Sequence, residues 1–264
     1  MSAVATLDRE HDRDRVRSLE KGLAVIRAFT AQRPRLTLAE VARETGISRA
    51  AARRLLLTLE SLGYVGSDGR MFFLRPALLQ LGFAYLSSTS VATVAQGHLE
   101  NLNEELHESC SASVLDGESV VYVARSSTNR IMTIGLSVGT RLPAYCTSMG
   151  RVLLAGLTPE ALDQYFANAE LVPLTSSTVY KEADIRSIVA EVKRVSWSIL
   201  DQELEAGVRS VAVPIKAANG NTVAAINSSA HASRVSLTEL EERFLPALQR
   251  CAREIELDLA GRPN

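Results

Sequence analysis

Arg49, Arg53 and Arg54 follow Ser48 in the run SRAAARR, with Arg49 and Arg53 four residues apart. A four-residue step puts two side chains on one face of a helix. Guanidinium groups on such a face can read guanine edges or neutralise phosphates, and Ser and Ala beside them allow close approach to a duplex. The same cluster is also what a solvated helix face looks like, so the neighbouring elements must decide. Enzyme chemistry has no comparable signature. The chain contains no GxxxxGK[ST], no GxGxxG behind a strand, no HExxH and no GxSxG, and no catalytic residue is assigned. His11, His98, His107 and His231 have no metal-ligand spacing, so neither a metal nor a cofactor is expected. Cys146 lies near Ser148, but without a neighbouring base it reads as a small residue of a binding loop.

The elements that would carry the arginines follow from the surrounding pattern. Leu19, Leu23, Ile26 and Phe29 recur at helical spacing behind Ser18, a good N-cap, and Pro34 ends the segment. Thr37-Leu38-Ala39-Glu40 has the form of a capping box, and Gly46 supplies a left-handed stop. From Ser48, Ala52, Leu55, Leu56, Leu59 and Leu62 make an apolar stripe opposite the arginines. Asp68-Gly69 between two apolar runs predicts a hairpin wing. Capping box, glycine turn, arginine face and wing in this order predict a winged helix-turn-helix over 18–75. Its partner is double-stranded operator DNA. The candidate DNA-contacting residues are Arg17, Thr37, Ser48, Arg49, Ala50, Ala51, Arg53, Arg54 and Arg70. Residues 1–17 form a charged, flexible arm that could follow phosphates; Asp12 and Asp14 among its arginines leave a solvated tail equally open.

Charge is divided along the chain in the same sense. Residues 1–75 hold 14 Lys and Arg against 9 Asp and Glu, while the remainder holds 15 against 21, so the polyanion partner belongs to the N-terminal part. Cys110, Cys146 and Cys251 are scattered and odd in number, the usage of a reducing cytosol. No signal peptide opens the chain and no apolar run approaches a membrane span, so a cytoplasmic protein without a membrane partner is expected. Residues 76–90 predict a linker helix, apolar almost all round, that must be buried against another domain or subunit. Beyond it, hairpins alternate with helices. Strands are expected at 110–115, 120–124, 131–138, 198–200, 209–215 and 223–229, with a long closing helix over 236–259. This is an α+β sensor-like domain over 91–260 rather than a βαβ nucleotide fold.

Five segments carry a resemblance over roughly 18–259: SLEKGLAVIRAF, LTLAEVARETGISRAAARRLLLTLESLGYV, VGTRLPAYCTSMGRVLLAG, DQELEAGVRSVAVPI and AAINSSAHASRVS. In them the chain resembles the IclR family of bacterial transcription regulators. In detail it is similar to the branch containing the PcaR, PcaU and PobR regulators of protocatechuate and p-hydroxybenzoate breakdown. The resemblance implies a winged helix, a linker helix and a GAF-like effector domain, assembled as homodimers that can pair into tetramers. RNA polymerase would be a further partner of an activator. It also implies a pocket for a small carboxylate effector, with Thr147, Ser148, Met149 and Gly150 holding the carboxylate. A helix opening there would favour an anion independently. Asp201, Ser210, Asn227 and Ser229 correspond to polar pocket positions, and Ile131, Ile134 and Leu142 to apolar walls. Tyr145 and His231 are close to these segments in sequence. Two departures stand out. Ala51 replaces a Thr common in the recognition helix, and Ser210 and Asn227 stand where glyoxylate- or pyruvate-responding members have Cys and Ser. A different acid is therefore favoured. The competing reading is an enzyme acting on a small acid, with the helix-turn-helix as an assembly module.

Overall fold

The computed structural model describes residues 15–88, 90–128 and 136–261. The chain separates into two compact units, Met1–Tyr85 and Leu86–Asn264, and the division falls inside the segment expected as a linker helix. Residues 1–14 of the expected arm lie outside the described residues.

In the first unit, α1 (Arg17–Arg27), α2 (Leu38–Thr45) and α3 (Arg49–Ser61) pack around Val25, Val41, Ala52, Leu56 and Leu59. Helix α1 starts earlier than expected. Its N-cap is Val16, without a side-chain cap, so Ser18 sits inside the first turn and Arg17 belongs to the helix rather than to an arm. The capping box of α2 is complete: Glu40 N donates to Thr37 Oγ1 at 3.3 Å, and Thr37 N donates to Glu40 Oε2 at 2.7 Å. Gly46 ends α2 at φ +66°, the left-handed region that a side chain disfavours. The wing strands β2 (Val65–Ser67) and β3 (Met71–Leu74) are joined by a third, β1 (Arg35–Thr37), giving the order β1-β3-β2. The short strand β1 had no periodic signal of its own. Helix α4 (Leu78–Ser88) follows.

The second unit is built on one antiparallel sheet. Its strands are β4 (Ser109–Asp116), β5 (Ser119–Ser126), β6 (Arg141–Pro143), β7 (Ser198–Asp201), β8 (Val208–Lys216) and β9 (Thr222–His231), in the order β6-β5-β4-β9-β8-β7. The expected strand at 131–138 falls mostly outside the described residues, and its remainder, 136–138, is not strand. The strand beside β5 is instead β6, with Val120 opposite Leu142.

The period of two sorts the sheet into two faces. Val211, Val213 and Ile215 of β8 and Ala224, Ile226 and Ala230 of β9 join the core formed with α5 (Ser90–Leu106) and the C-terminal helix. The opposite face carries Ala212 and Ala225 against α6 (Ser148–Ala155), α7 (Pro159–Asn168) and α8 (Glu182–Val195). Each fully buried aliphatic side chain in these cores contributes roughly 1.5–3 kcal/mol. The closing helix is not uniform. A short turn α9 (Leu237–Glu239) passes through a π-helical turn, Leu240–Phe244, into α10 (Leu245–Ala260). Pro246 lacks the amide a regular helix would need there, and Leu245 N reaches back to Leu240 O.

Replacing Thr37 by Ala should cost about 1 kcal/mol by stranding the Glu40 amide. Amide hydrogen exchange across Leu38–Thr45 should accelerate accordingly, and unchanged protection there would contradict the cap.

Candidate functional site

Ser48 Oγ accepts from Ala51 N at 3.2 Å and sets the start of α3. The first turns then present Arg49, Ala50, Arg53 and Arg54 to solvent. Arg33 and Arg35 are paired with Glu44 and Asp68, and Arg43 also reaches Glu44. Arg49, Arg53 and Arg54 make no ion pair among the described residues, which leaves their guanidinium groups available to an external anion. The wing is held by Asp68, which accepts from Arg70 N at 3.0 Å and Met71 N at 2.7 Å. Those two amide donors hold its carboxyl below the usual carboxylate range. Arg70 is exposed at the tip and Arg17 in the first turn of α1.

The second unit contains a cavity between the β8–β9 face, the N-terminus of α6 and the loop 202–207. Ser210 and Ser229 are cross-strand neighbours, as are Val208 and His231. With Asn227 two residues before Ser229, they share one face. Thr147 caps α6, its Oγ1 accepting from Gly150 N at 3.1 Å. The first amides of α6, at Ser148 and Met149, have no intrahelical carbonyl to bond, so this end favours an anion. Gly150 is required here, because a Cβ would lie 2.0 Å from Ala144 O and 2.5 Å from Thr147 Oγ1.

Three polar atoms of the wall are buried without a hydrogen-bond partner among the described residues: Ser148 Oγ, Asn227 Oδ1 and Glu205 Oε2. Ser148 is 1% exposed and Asn227 4%. Native proteins rarely leave such atoms unmet, and three of them gather on this one cavity. Tyr122 lines the same space, its phenol pushed up to about 12 by burial, so it stays a hydrogen-bond donor at neutral pH. Burial likewise pushes the Cys146 thiol up to about 11. It is protonated at neutral pH and no thiolate nucleophile.

The two sides of the cavity are tied by a buried ion pair. Arg151 of α6 donates from Nη1 and Nη2 to Glu203 at 2.8 and 2.7 Å, and from Nε to Tyr145 O at 3.0 Å. Glu203 Oε2 also accepts from Val179 N at 2.9 Å, and Thr178 Oγ1 donates to the Glu203 carbonyl at 2.6 Å. The loop bearing Glu203 and Glu205 leaves β7 through Gln202 at φ +62°, and its return is fixed by Gly207 N donating to Gln202 Oε1 at 3.0 Å.

Two family models match the chain: the IclR helix-turn-helix domain over residues 18–69 and the bacterial transcriptional regulator IclR C-terminal domain over 83–257. The chain belongs to the IclR family of bacterial transcription regulators. It is 46% identical to the Pca regulon regulatory protein of Pseudomonas putida, over 95% of this chain and 86% of that one. The p-hydroxybenzoate hydroxylase transcriptional activator of Acinetobacter baylyi is 37% identical, over 92% and 91%. A crystal structure of a transcriptional regulator from Rhodococcus sp. RHA1 superposes with a TM-score of 0.83 at 51% identity, covering 93% of this chain and 99% of that one. These relatives are DNA-binding regulators rather than enzymes, and no group of His, Cys, Asp and Glu suited to a metal occurs among the described residues.

In this IclR-family chain the cavity brings together Thr147, Ser148, Ser210, Asn227, Ser229 and His231 of the residues expected to bind an effector. Four others lie elsewhere. Asp201 is taken up by Arg209, whose Nε donates to it at 2.5 Å and holds its carboxyl below the usual range. Tyr145 turns away, its hydroxyl donating to Val172 O at 2.7 Å. Met149 is buried behind the helix end, where its sulfur accepts from Ser113 Oγ at 3.2 Å. Leu142 belongs to a separate groove with Tyr145 and Tyr165. Ile131 and Ile134 lie outside the described residues. Of the expected DNA contacts, Thr37 has its hydroxyl committed to the capping box, donating to Glu40 Oε2 at 2.7 Å. Ala51 is half-buried in a groove with Ser18, Leu19 and Gly22.

Glu203, Glu205, Arg234 and Tyr122 were not anticipated. Glu203 and Glu205 alternate within DQELEAGVRS, a density of acids beside apolar residues that was the available signal. Arg234 is paired with the buried Glu108 at 3.0 Å.

Removing one partner of the buried pair, as in Glu203→Ala, strands the Arg151 charge and should cost about 3–5 kcal/mol. Urea unfolding would report this as a lower midpoint; a loss below about 1 kcal/mol would mean that the pair is not what holds α6 to the loop.

Proposed function

We propose that the chain is a cytoplasmic, ligand-responsive regulator that binds operator DNA through the first turns of α3 and controls genes for the breakdown of aromatic acids such as protocatechuate and p-hydroxybenzoate. The observation that carries this reading is the pairing, in one chain, of three unpaired arginines on the third helix of a winged helix with a cavity whose buried polar atoms lack partners. The Pca regulon and p-hydroxybenzoate relatives supply the pathway. No single helix among the described residues is long and apolar enough to cross a membrane. The organisation that follows is a reading head that begins with α1 at Arg17 and runs to residue 75, a linker helix over 76–90 and an effector domain over 91–260. The effector enters with its carboxylate toward Thr147, Ser148 and the α6 amides, flanked by Tyr122 and Arg234. Ser210, Asn227, Ser229 and His231 meet its remaining polar groups.

Assembly as a homodimer follows from α4. Leu79, Leu81 and Phe83 are 74%, 55% and 69% exposed in a single chain, an apolar surface that a second copy would cover. Two reading heads then call for an operator with half-sites about one helical turn apart, or a multiple of it.

Fluorescence anisotropy with duplex DNA from the regulator's own upstream region tests the reading. Binding should weaken steeply with salt, and Arg49→Ala with Arg53→Ala should flatten the log-log slope by about two units. A hydroxybenzoate should shift DNA affinity about 5–150-fold, and Gly150→Val should abolish that shift. An unchanged slope in the double variant would remove α3 from the DNA interface. A separate measurement addresses assembly: sedimentation should show a dimer or larger that Phe83→Glu dissociates, and a well-folded monomer at micromolar concentration would rule the dimer out.

A further inference from the structure

Arg125 stands apart from the arginines around it. Arg151, Arg209 and Arg234 each hold a carboxylate, those of Glu203, Asp201 and Glu108. Arg125 is half-buried near the end of β5 and makes no ion pair among the described residues. Of its guanidinium donors only Nη1 is engaged, donating to Ser111 Oγ at 3.1 Å. Burial holds its pKa below the ordinary arginine value, and no anion offsets this. The groups that act against it, Tyr122 and Cys110, are neutral at physiological pH, each pushed up to about 12 by burial. Residues 127–137, which follow β5, include no Asp or Glu. A desolvated cation without a counter-charge is costly, yet this one is fixed in place. Gln96 of α5 accepts from its amide and donates to its carbonyl, each at 3.3 Å.

Strand register sets where the guanidinium lies. Ser111 of β4 is opposite Arg125 on one side and Asn227 on the other, and residues directly opposite share a face. Arg125 therefore reaches over β4 toward the cavity that Asn227 lines. A β-bulge that leaves Val123 unpaired puts Tyr122 and Arg125 on this same face although they are three residues apart. Ser113, two residues along β4, is opposite Tyr122 and donates to Met149 Sδ in the first turn of α6 at 3.2 Å. The Arg125 row is thus about 7 Å from the row beneath the α6 N-terminus. Two residues the other way, Ser109 is opposite the cavity-lining Ser229, and its Oγ is buried without a partner among the described residues.

We propose that Arg125 binds the effector's carboxylate from the sheet side, facing the α6 amides, and that the cavity thereby selects acids over neutral isosteres of the same shape. This rests on the cavity being the effector site. A carboxylate offers roughly four acceptor positions. The helix end and its hydroxyls meet some of them without a full charge, and a guanidinium adds charge-assisted bonds and neutralises the anion. The same anion supplies the counter-charge that Arg125 lacks. A primary amide of equal size brings no charge to the arginine. It also replaces one acceptor oxygen by N–H donors, which would face the donors of the guanidinium and leave the cation unmet.

Calorimetric titration of the full-length chain with 4-hydroxybenzoate, 3,4-dihydroxybenzoate and the primary amide of each tests this. The better-binding acid should bind at least about tenfold more tightly than its amide. Arg125→Gln should weaken that acid about 10–100-fold and bring the acid-over-amide ratio near unity. Arg125→Lys, which keeps the charge but not the planar fork, should restore part of the ratio. Glutamine can still donate to Ser111 Oγ and no ion pair is lost, so the melting temperature without ligand should not fall; the rise produced by the acid should shrink. A ratio that survives Arg125→Gln, or an equal loss of acid and amide, overturns the Arg125 assignment. In that event, loss of acid binding in Gly150→Val would leave the effector site standing. No heat from either acid with the wild-type chain would overturn both the assignment and the site.

Discussion

The second unit of the molecule is arranged around the ion pair between Arg151 and Glu203, whose side chains are 3% and 9% exposed. Two charges so deeply desolvated persist only when the geometry is close and the remaining donors and acceptors are met. Here they are: Arg151 also donates to the Tyr145 carbonyl, and Glu203 also accepts from the Val179 amide. The pair joins elements that are 52 residues apart in sequence. One end lies in α6, immediately behind the amides that face the cavity; the other lies in the loop that carries Glu205. A hydrophobic contact would bring these elements together but would not fix their angle, because dispersion and burial have little directionality. The bidentate pair does fix it, and the position of Glu205 relative to the α6 N-terminus depends on that angle.

The cavity also needs a sheet whose two faces behave differently. Toward α5 and α10 the strands present Val211, Val213, Ile215 and Ile226. Toward α6 the same strands present Ala212 and Ala225 and then, further along, Ser210, Asn227 and Ser229. Small apolar residues let α6 approach this face, and the polar residues beginning with Asn227, opposite Ala212, keep the adjoining space from closing into dry core. A one-residue slip of either strand in the pairing of Ser210 with Ser229 would move that strand's polar groups to the opposite face. The large apolar set facing α5 and α10 penalises that slip, so the core on one side specifies the site on the other.

Local chemistry was legible in the sequence at most places where the signal was local, Ser18 being the exception because α1 already begins at Arg17. The capping box at Thr37–Glu40, the Gly46 stop, the Ser48 cap and the Asp68-Gly69 wing are contacts within four residues, and each appears where its residue types require it. The helix opening behind Thr147 is of the same kind. Strand β1 escaped because three residues carry no period, and it forms only when β3 is present to pair with it. The differences between the expected and the observed surroundings of the cavity residues have one cause. Asp201 and Tyr145 have the right chemistry for a pocket, but their fate is set by Arg209 and by Val172, which the sequence does not place beside them. Glu203 and Glu205 are two residues apart and chemically identical, yet one is locked to Arg151 and the other makes no ion pair among the described residues. Only tertiary pairing separates them.

Unpaired polar groups in the cavity make the empty site less stable than a filled one, so any acid that meets them stabilises this unit by mass action. That stabilisation is not yet regulation. A ligand shifts a regulator only by the difference in its affinity for two arrangements, and a cavity formed wholly within one rigid element would bind equally in both. This one is not so formed: its walls come from a sheet, a helix end and a loop, held in register by one ion pair. Any rearrangement that moves α6 relative to β8 and β9 changes the distances between the α6 amides and the polar groups of the sheet face. A ligand that touches both α6 and the sheet fits one such arrangement, whereas one held by α6 alone fits either. The groups that define which acid binds are therefore also those through which binding can discriminate between two arrangements of the effector domain.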